Sequence, residues 1–308
     1  MKTLNEEQRR KLEDMAYHIR KRSLEMIAVA GWGHIGGSFS IAEVLSVLYF
    51  HVMRVQPDNP GWEDRDYFVL SKAHSSPALY AALGLRGYYP IEEIYNYCRL
   101  GGLDGHTDML ETPGIEYTGG SLGTGLSYSV GLALGLKMKE RYHQRVFCLV
   151  GDGESNEGQI WEAAMSAAQF RLDNLIAIVD YNKVMAKGFI YNMMGLEPFA
   201  EKWKSFGWEV IQADGHDVDE LARAFHQAKY LCVVGKPVCI VAHTVKGKGI
   251  AECEFNYHWH THAPSKKKAD IFLKELAGYY GRSESGFDRV PDSAADGEMM
   301  EVTGGELE

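Results

Sequence analysis

The sequence lacks the features that mark several classes of protein. No stretch approaches the roughly 18 uninterrupted apolar residues of a membrane-spanning helix, and the charged segment Met1 to Arg22 has no apolar signal-peptide core. Basic runs such as Lys266 to Lys268 are short and the net charge is −10, which argues against a nucleic-acid-binding surface. We therefore expect no membrane span, no secretory signal and no nucleic-acid partner.

Cysteine is also scarce. The five cysteines (Cys98, Cys148, Cys232, Cys239 and Cys253) include no Cys-x-x-Cys pair, and their number is odd. This usage is typical of reduced thiols in the cytosol and argues against a disulfide framework or a zinc site. We expect a cytoplasmic protein.

Glycine, by contrast, is abundant, with 33 of 308 residues against a usual share of about 7%. Such an excess in a chain without repeats indicates many tight turns and close approaches of the backbone to a ligand. Apolar residues make up 45% and charged residues 24% of the chain, which is ordinary for a globular protein. The length suits one large α/β domain or two small ones.

Short apolar runs alternate with helical patterns along the chain. The clearest unit is a strand predicted at 146–150, a helix at 159–170 and a second strand at 175–179, an order that predicts parallel pairing. The remaining predicted elements are strands at 66–70, 208–211 and 237–242, helices at 4–30, 41–50 and from 125 to about 141, and glycine-rich loops over 31–37 and 118–125. We expect an α/β fold, a doubly wound and mostly parallel sheet with helices on both faces.

The composition changes after residue 281. Residues 282–308 contain eight acidic and two basic residues, so this segment carries −6 of the net charge of −10. We expect residues 1–281 to form one domain, and residues 282–308 to form an acidic tail that is disordered or contacts a partner.

Two short oxygen-bearing side chains follow the central predicted strands. Asp152, within Gly151-Asp152-Gly153, comes directly after one strand, and Asn182 follows the next strand 30 residues later. The carboxyl ends of parallel strands form the ligand-binding edge of open α/β sheets, and Mg²⁺ prefers oxygen ligands completed by water and phosphates. With a backbone carbonyl near Val184, these residues predict a divalent-cation site (Mg²⁺, Ca²⁺ or Mn²⁺), and Gly153 predicts a close approach of a backbone N–H to phosphate.

This spacing resembles the thiamine diphosphate binding motif, and the wider stretch 151–182 resembles transketolase. Further segments match the same family in chain order: Gly33-His-Ile-Gly-Gly37, Ser71-Lys-Ala-His74, Gly105-His106, Gly120-Ser-Leu-Gly-Thr-Gly125 and Trp259-His-Thr-His-Ala-Pro264. The last segment departs from the family pattern because Thr261 replaces the expected glycine and a second histidine, His262, stands close to His260.

The resemblance implies roles for the matching residues. His34 and His260 would handle protons of the two substrates, while His74 and His106 would orient sugar hydroxyls, because the ordinary pKa of histidine lies near neutrality. Lys246 and Lys248 could meet a diphosphate or lie in a solvated turn. The complete set of predicted cofactor-binding residues is His74, Gly120, Leu122, Gly151, Asp152, Gly153, Glu157, Asn182, Lys246 and His260, and the predicted metal ligands are Asp152, Asn182 and Val184.

The resemblance also implies an incomplete enzyme. Every matching segment belongs to the first, diphosphate-binding domain of the transketolase family, whose pyrimidine-binding domain supplies the glutamate that activates the cofactor. We expect a second subunit with the pyrimidine-binding and C-terminal domains, in an α2β2 assembly with the cofactor at the interface. Glu157 would pair there with a carboxylate of the partner, and the substrates would be sugar phosphates or related ketoses.

Two alternatives share this fold. The α subunit of a thiamine-dependent 2-oxo acid dehydrogenase carries the same motif in a split arrangement, and a non-catalytic scaffold would keep the fold without the chemistry. The loops around His34, His74 and His106 favour transketolase over the dehydrogenase, and the intact Asp152, Asn182 and four matching histidines argue against a scaffold. The pattern Gly-x-Gly-x-x-Gly over residues 31–36 spells a dinucleotide fingerprint, but it follows a predicted helix and not a strand, which argues against a nicotinamide site.

Overall fold

The computed structural model describes residues 4–231, 235–283 and 286–287. Cys232 and almost all of the acidic segment predicted for 282–308 lie outside the described residues. Among the described residues, no helix is both long and apolar enough to cross a membrane.

A parallel sheet forms the centre of the fold. Its strands are β1 (Tyr67–Leu70), β2 (Val146–Gly151), β3 (Leu175–Tyr181), β4 (Glu209–Asp214) and β5 (Val238–His243). They lie in the order β1-β2-β3-β5-β4, and every neighbouring pair is parallel. The strands predicted from the sequence and their parallel pairing are confirmed.

Helices cover both faces of the sheet. They are α1 (Glu6–Ala30), α2 (Ile35–Phe39), α3 (Ala42–Val47), α4 (Ser76–Arg86), α5 (Thr124–Met138), α6 (Gly158–Gln169), α7 (Ile190–Met193), α8 (Phe199–Ser205), α9 (Val218–Leu231) and α10 (Lys266–Tyr279). Helices α1, α3, α4 and α9 pack on one face, and α5, α6 and α8 pack on the other. Every residue of β2 and β3 is buried, which explains why these strands appear in the sequence as continuous apolar runs. The doubly wound α/β prediction is confirmed.

Two local predictions are wrong. The loop predicted over 31–37 contains the start of α2. Gly36 and Gly37 lie in this helix, where their small size allows close packing. A Cβ at Gly36 would lie 2.9 Å from the Cγ of Lys246. The helix predicted over 41–50 is α3 followed by a wider π-helical turn, Leu48–Val52. In that turn the Tyr49 carbonyl accepts a hydrogen bond from Arg86 Nε at 3.0 Å.

The topology brings four loops to one edge of the sheet. Ser71 follows β1, Asp152 follows β2, Asn182 follows β3 and Thr244 follows β5. Because the strands are parallel, all four loops leave the carboxyl edge, where ligands bind in folds of this type.

Candidate active site

The loops at the carboxyl edge of the sheet surround a cavity of about 380 Å³. Every residue that the sequence analysis assigned to catalysis, cofactor or metal lines this cavity: His34, His74, His106, Gly120, Leu122, Gly151, Asp152, Gly153, Glu157, Asn182, Val184, Lys246 and His260. The residues are therefore brought together, while their individual roles remain predictions. Lys72, Glu154 and Met185 also line the cavity, although the sequence analysis did not select them.

The four histidines form one cluster. The ring centroids of His34, His74 and His260 are 5.0 to 5.3 Å apart, and His106 lies 6.1 Å from His34. His34 is 6% exposed, and its Nδ1 atom has no hydrogen-bond partner within the described part of the chain. The cluster thus lines the cavity with four imidazoles, and one of their buried nitrogens, Nδ1 of His34, has no partner among the described residues.

Burial keeps these imidazoles neutral. It lowers the pKa of His34 to about 3, with further contributions from His106, Lys246 and Lys72. Burial, helped by Lys246, also lowers the pKa of His260 to about 3. Burial also holds the pKa of His74 well below its ordinary value and lowers the pKa of His106. At neutral pH all four rings are therefore neutral, and an unprotonated ring nitrogen can accept a hydrogen bond from a hydroxyl.

The low pKa of His34 makes the stability of the unliganded chain depend on pH. Between about pH 3 and pH 6.5 the unfolded chain binds a proton at His34 that the folded chain does not bind, so the free energy of unfolding falls on acidification by about 1.4 kcal/mol per pH unit from this group. Urea unfolding at pH 7.0 and at pH 5.5 measures how far the free energy of unfolding falls between these two values. The fall should be smaller in His34→Gln, and unchanged in His226→Gln, whose substitution is at an exposed site. Equal pH dependence in the His34→Gln chain and the unaltered chain would contradict this.

The candidate cation ligands are buried at the ends of β2 and β3. The Asp152 carboxylate, 2% exposed, accepts hydrogen bonds from Gly153 N at 2.7 Å and from Lys183 N. Asn182 Oδ1 accepts from Val184 N at 3.0 Å. Lys183 has a φ of +67°, a left-handed conformation. The backbone N–H of Lys183, which contacts Asp152, therefore lies in a tight turn between Asn182 and Val184.

The electrostatics of Asp152 fit a bound cation. Burial, together with the nearby charge of Asp180, raises the pKa of Asp152 to about 7, although two backbone N–H groups and Lys246 lower it. A divalent ion would stabilise the ionised carboxylate further. Among the described residues, no three His, Cys, Asp or Glu side chains are arranged to hold an ion by themselves. A cation at Asp152 would therefore need additional oxygen ligands, and a diphosphate is a suitable source.

A buried ion pair that the sequence analysis missed supports this site. Asp180 accepts hydrogen bonds from Lys72 Nζ at 2.6 Å, Ser40 Oγ at 2.7 Å, Asn182 Nδ2 at 2.8 Å and Thr244 Oγ1. Burial alone would raise the pKa of Asp180, but Lys72 lowers it overall. Lys72 lies within the matched segment 71–74, and Asp180 lies two residues before Asn182. These positions inside the motifs are the sequence feature that could have identified the two residues as part of the site.

Lys246 and His260 lie beside the candidate cation ligands. Lys246 Nζ lies 2.9 Å from the Val184 carbonyl and 2.8 Å from His260 Nδ1. Burial, with the repulsion of Lys72, lowers the pKa of Lys246 to about 8. Neither His262, the alternative to His260, nor Lys248, the neighbouring lysine, lines the cavity. His262 is exposed and packs against Trp259, and Lys248 pairs with Glu254 at 3.7 Å.

Comparisons with known proteins agree with this geometry. Residues 12–296 match the family described as transketolase, thiamine diphosphate binding domain. The chain is 50% identical over 249 residues to the 6-deoxy-6-sulfo-D-fructose transketolase subunit SqwG of Clostridium sp. (strain MSTE9), covering 80% of this chain and 90% of that protein. It is 39% identical over 259 residues to a subunit of the apulose-4-phosphate transketolase of Phocaeicola vulgatus, covering 84% and 91%.

Solved structures show the same fold. Transketolase from Campylobacter jejuni superposes with a TM-score of 0.80 at 29% sequence identity, over 95% of this chain and 45% of that chain. The present chain thus spans less than half of that transketolase, but nearly the whole length of the two proteins named as subunits.

Proposed function

The chain belongs to the transketolase family, as its thiamine diphosphate binding domain, and on this premise we propose that it is the diphosphate-binding subunit of a two-component transketolase. With its partner it would move a two-carbon ketol unit from a ketose to an aldose. The observation that carries the proposal is the cavity that unites the buried candidate cation ligands, the buried side chain of Lys246 and four neutral histidines.

The residues present fit thiamine diphosphate with a divalent cation, Mg²⁺ or an ion such as Ca²⁺ or Mn²⁺. Asp152, Asn182 and the Val184 carbonyl would hold the cation, and Lys246 with His260 would meet the diphosphate. The loop with Gly120 and Leu122 lies at the same cavity and would contact the aminopyrimidine. When bound, the cofactor supplies the nucleophilic carbon for breaking and forming the carbon–carbon bond.

The histidines would manage the protons of the sugars. A neutral ring can take a proton from a hydroxyl and return it, a contribution of typically about 10²–10⁴ in rate for a well-placed group. His34 is suited to this role because its Nδ1 is buried and has no partner among the described residues. His74 and His106 would orient substrate hydroxyls from the same cluster.

A partner subunit would complete the site. The two relatives that this chain nearly spans are both named as subunits, and the longer transketolase contains additional chain. Glu157 and Leu122 line the cavity and are exposed, so they are available to a partner. We propose an α2β2 assembly with the cofactor between the subunits, located in the cytoplasm as the cysteine usage indicates.

An assay of ketol transfer tests this function. The chain and the candidate partner are mixed with thiamine diphosphate and Mg²⁺, and transfer to an aldose phosphate is measured from a ketose phosphate and from 6-deoxy-6-sulfo-D-fructose, the sugar in the name of one relative. We expect transfer from at least one ketose donor and no decarboxylation of pyruvate. Decarboxylation alone would favour the 2-oxo acid dehydrogenase alternative, and cofactor binding without either reaction would favour a scaffold.

A further inference from the structure

A single buried carboxylate connects three of the loops around the cavity. Glu154 is 3% exposed. Its Oε1 accepts hydrogen bonds from Ser71 Oγ and, at 2.8 Å, from Gly123 N, while its Oε2 accepts from Gly151 N at 2.8 Å. These acceptor contacts all go to loops at the carboxyl edge of the sheet.

Each of the three loops carries residues of the proposed cofactor site. Ser71 directly precedes Lys72 and the turn that contains His74, and Gly151 directly precedes Asp152. Gly123 follows the segment with Gly120 and Leu122 and precedes α5. A shift in the Glu154 carboxylate would thus move the cation ligand, the second histidine loop and the aminopyrimidine loop relative to one another.

The loop at Gly123 depends on Glu154 in particular. Gly123 has a φ of +87°, and it offers no side chain to cap α5. A Cβ at this position would lie 2.9 Å from the Cβ of Glu157, so the backbone already sits against the segment that follows Glu154. The hydrogen bond from Gly123 N to Glu154 joins the end of this glycine-rich loop to the loop that follows β2.

We propose that Glu154 is a positioning residue that sets cofactor affinity by holding the loops of Ser71, Gly123 and Gly151 together. The inference rests on the proposed function, because it assumes that thiamine diphosphate binds in this cavity. Glu154 donates no group to the reaction, and its effect passes through the residues that the three loops carry.

Glu154→Gln tests the proposal with little change in volume. The glutamine has one acceptor oxygen and an NH₂ group, so either Gly123 N or Gly151 N faces a donor and loses its acceptor. We expect the dissociation constant for thiamine diphosphate, measured at saturating Mg²⁺ in the complex with the partner, to rise about 10–100-fold, the range seen when a residue that orients a ligand is lost. In the chain alone, amide exchange at Gly123 and Gly151 should accelerate.

Asp66→Asn is the matched control. Asp66 is equally buried and accepts hydrogen bonds from Arg54 N and Arg145 N, both at 2.9 Å, but it lies just before β1, at the amino end of the sheet. This variant should lose stability without a change in cofactor affinity or in exchange at Gly123. The comparison therefore distinguishes the effect of Glu154 on the cofactor loops from the general effect of removing a buried carboxylate.

The outcomes distinguish the positioning role from the proposed function. If the unaltered complex binds no thiamine diphosphate, the proposed function fails. If the unaltered complex binds it and Glu154→Gln binds it equally well, or no worse than Asp66→Asn, the positioning role is wrong. Should Glu154→Gln not fold, Ser71→Ala removes one of the three donors and should weaken binding about three- to tenfold, and unchanged binding in that variant would overturn the proposal.

Discussion

Replacing Asp152 with Asn should abolish Mg²⁺-dependent binding of thiamine diphosphate while the unliganded fold persists. The substitution removes the only carboxylate among the proposed cation ligands, and we expect affinity to fall by more than about 100-fold, since losing a group that only orients a ligand already costs about 10–100-fold. The fold should persist because burial and Asp180 disfavour the lost charge, and its removal offsets the loss of one acceptor for Gly153 N or Lys183 N. The measurement is a calorimetric titration of the cofactor with the partner present.

The unliganded Asp152→Asn chain should therefore melt within about 2 °C of the unaltered chain, which corresponds to roughly 1 kcal/mol for a domain of this size. The Asp66→Asn chain is the control and should show the reverse result. It should lose stability but keep the affinity for thiamine diphosphate. Normal cofactor affinity in the Asp152→Asn protein would show that this carboxylate is not a cation ligand.

Replacing His34 with Gln should lower kcat/KM for ketol transfer by about 10²–10⁴, the contribution of a well-placed acid–base group. The affinity for thiamine diphosphate should change little, because the proposed diphosphate contacts come from Lys246 and His260 and not from His34. Glutamine fills a similar volume but cannot exchange a proton with a sugar hydroxyl. Steady-state kinetics at saturating cofactor give the result.

His226→Gln is the control for this prediction, because His226 is exposed on α9 and does not line the cavity. It should retain the activity of the unaltered complex. A His34→Gln protein with normal kcat/KM would remove His34 from the acid–base role, and a parallel loss of cofactor affinity would instead place it among the binding residues.

The sequence predicts the fold well because its signals are strong and local. Strands β2 and β3 are buried on both faces and so appear as continuous apolar runs bounded by glycine or polar residues. The order of strand, helix and strand between 146 and 181 then fixes parallel pairing, and parallel pairing places Asp152 and Asn182 at one edge. The histidine loops were found by resemblance to a family, since spacing alone does not bring residues 34, 74, 106 and 260 together.

The supporting residues could not be found in the same way. Lys72, Asp180 and Glu154 act through contacts between segments 31 to 140 residues apart in the chain. A buried lysine or carboxylate has no local sequence pattern that distinguishes it from a surface one. Likewise Gly36 and Gly37 look like turn residues in the sequence, although close packing against Lys246 and Ser75 is what requires their size. Such roles depend on tertiary neighbours.

The most direct test of the account is a titration of thiamine diphosphate with Mg²⁺ into this chain alone and into its mixture with the partner subunit. The account predicts tight binding and ketol transfer only in the mixture, because the proposed site lies between two subunits. Tight binding accompanied by ketol transfer in the chain alone would contradict the two-component account.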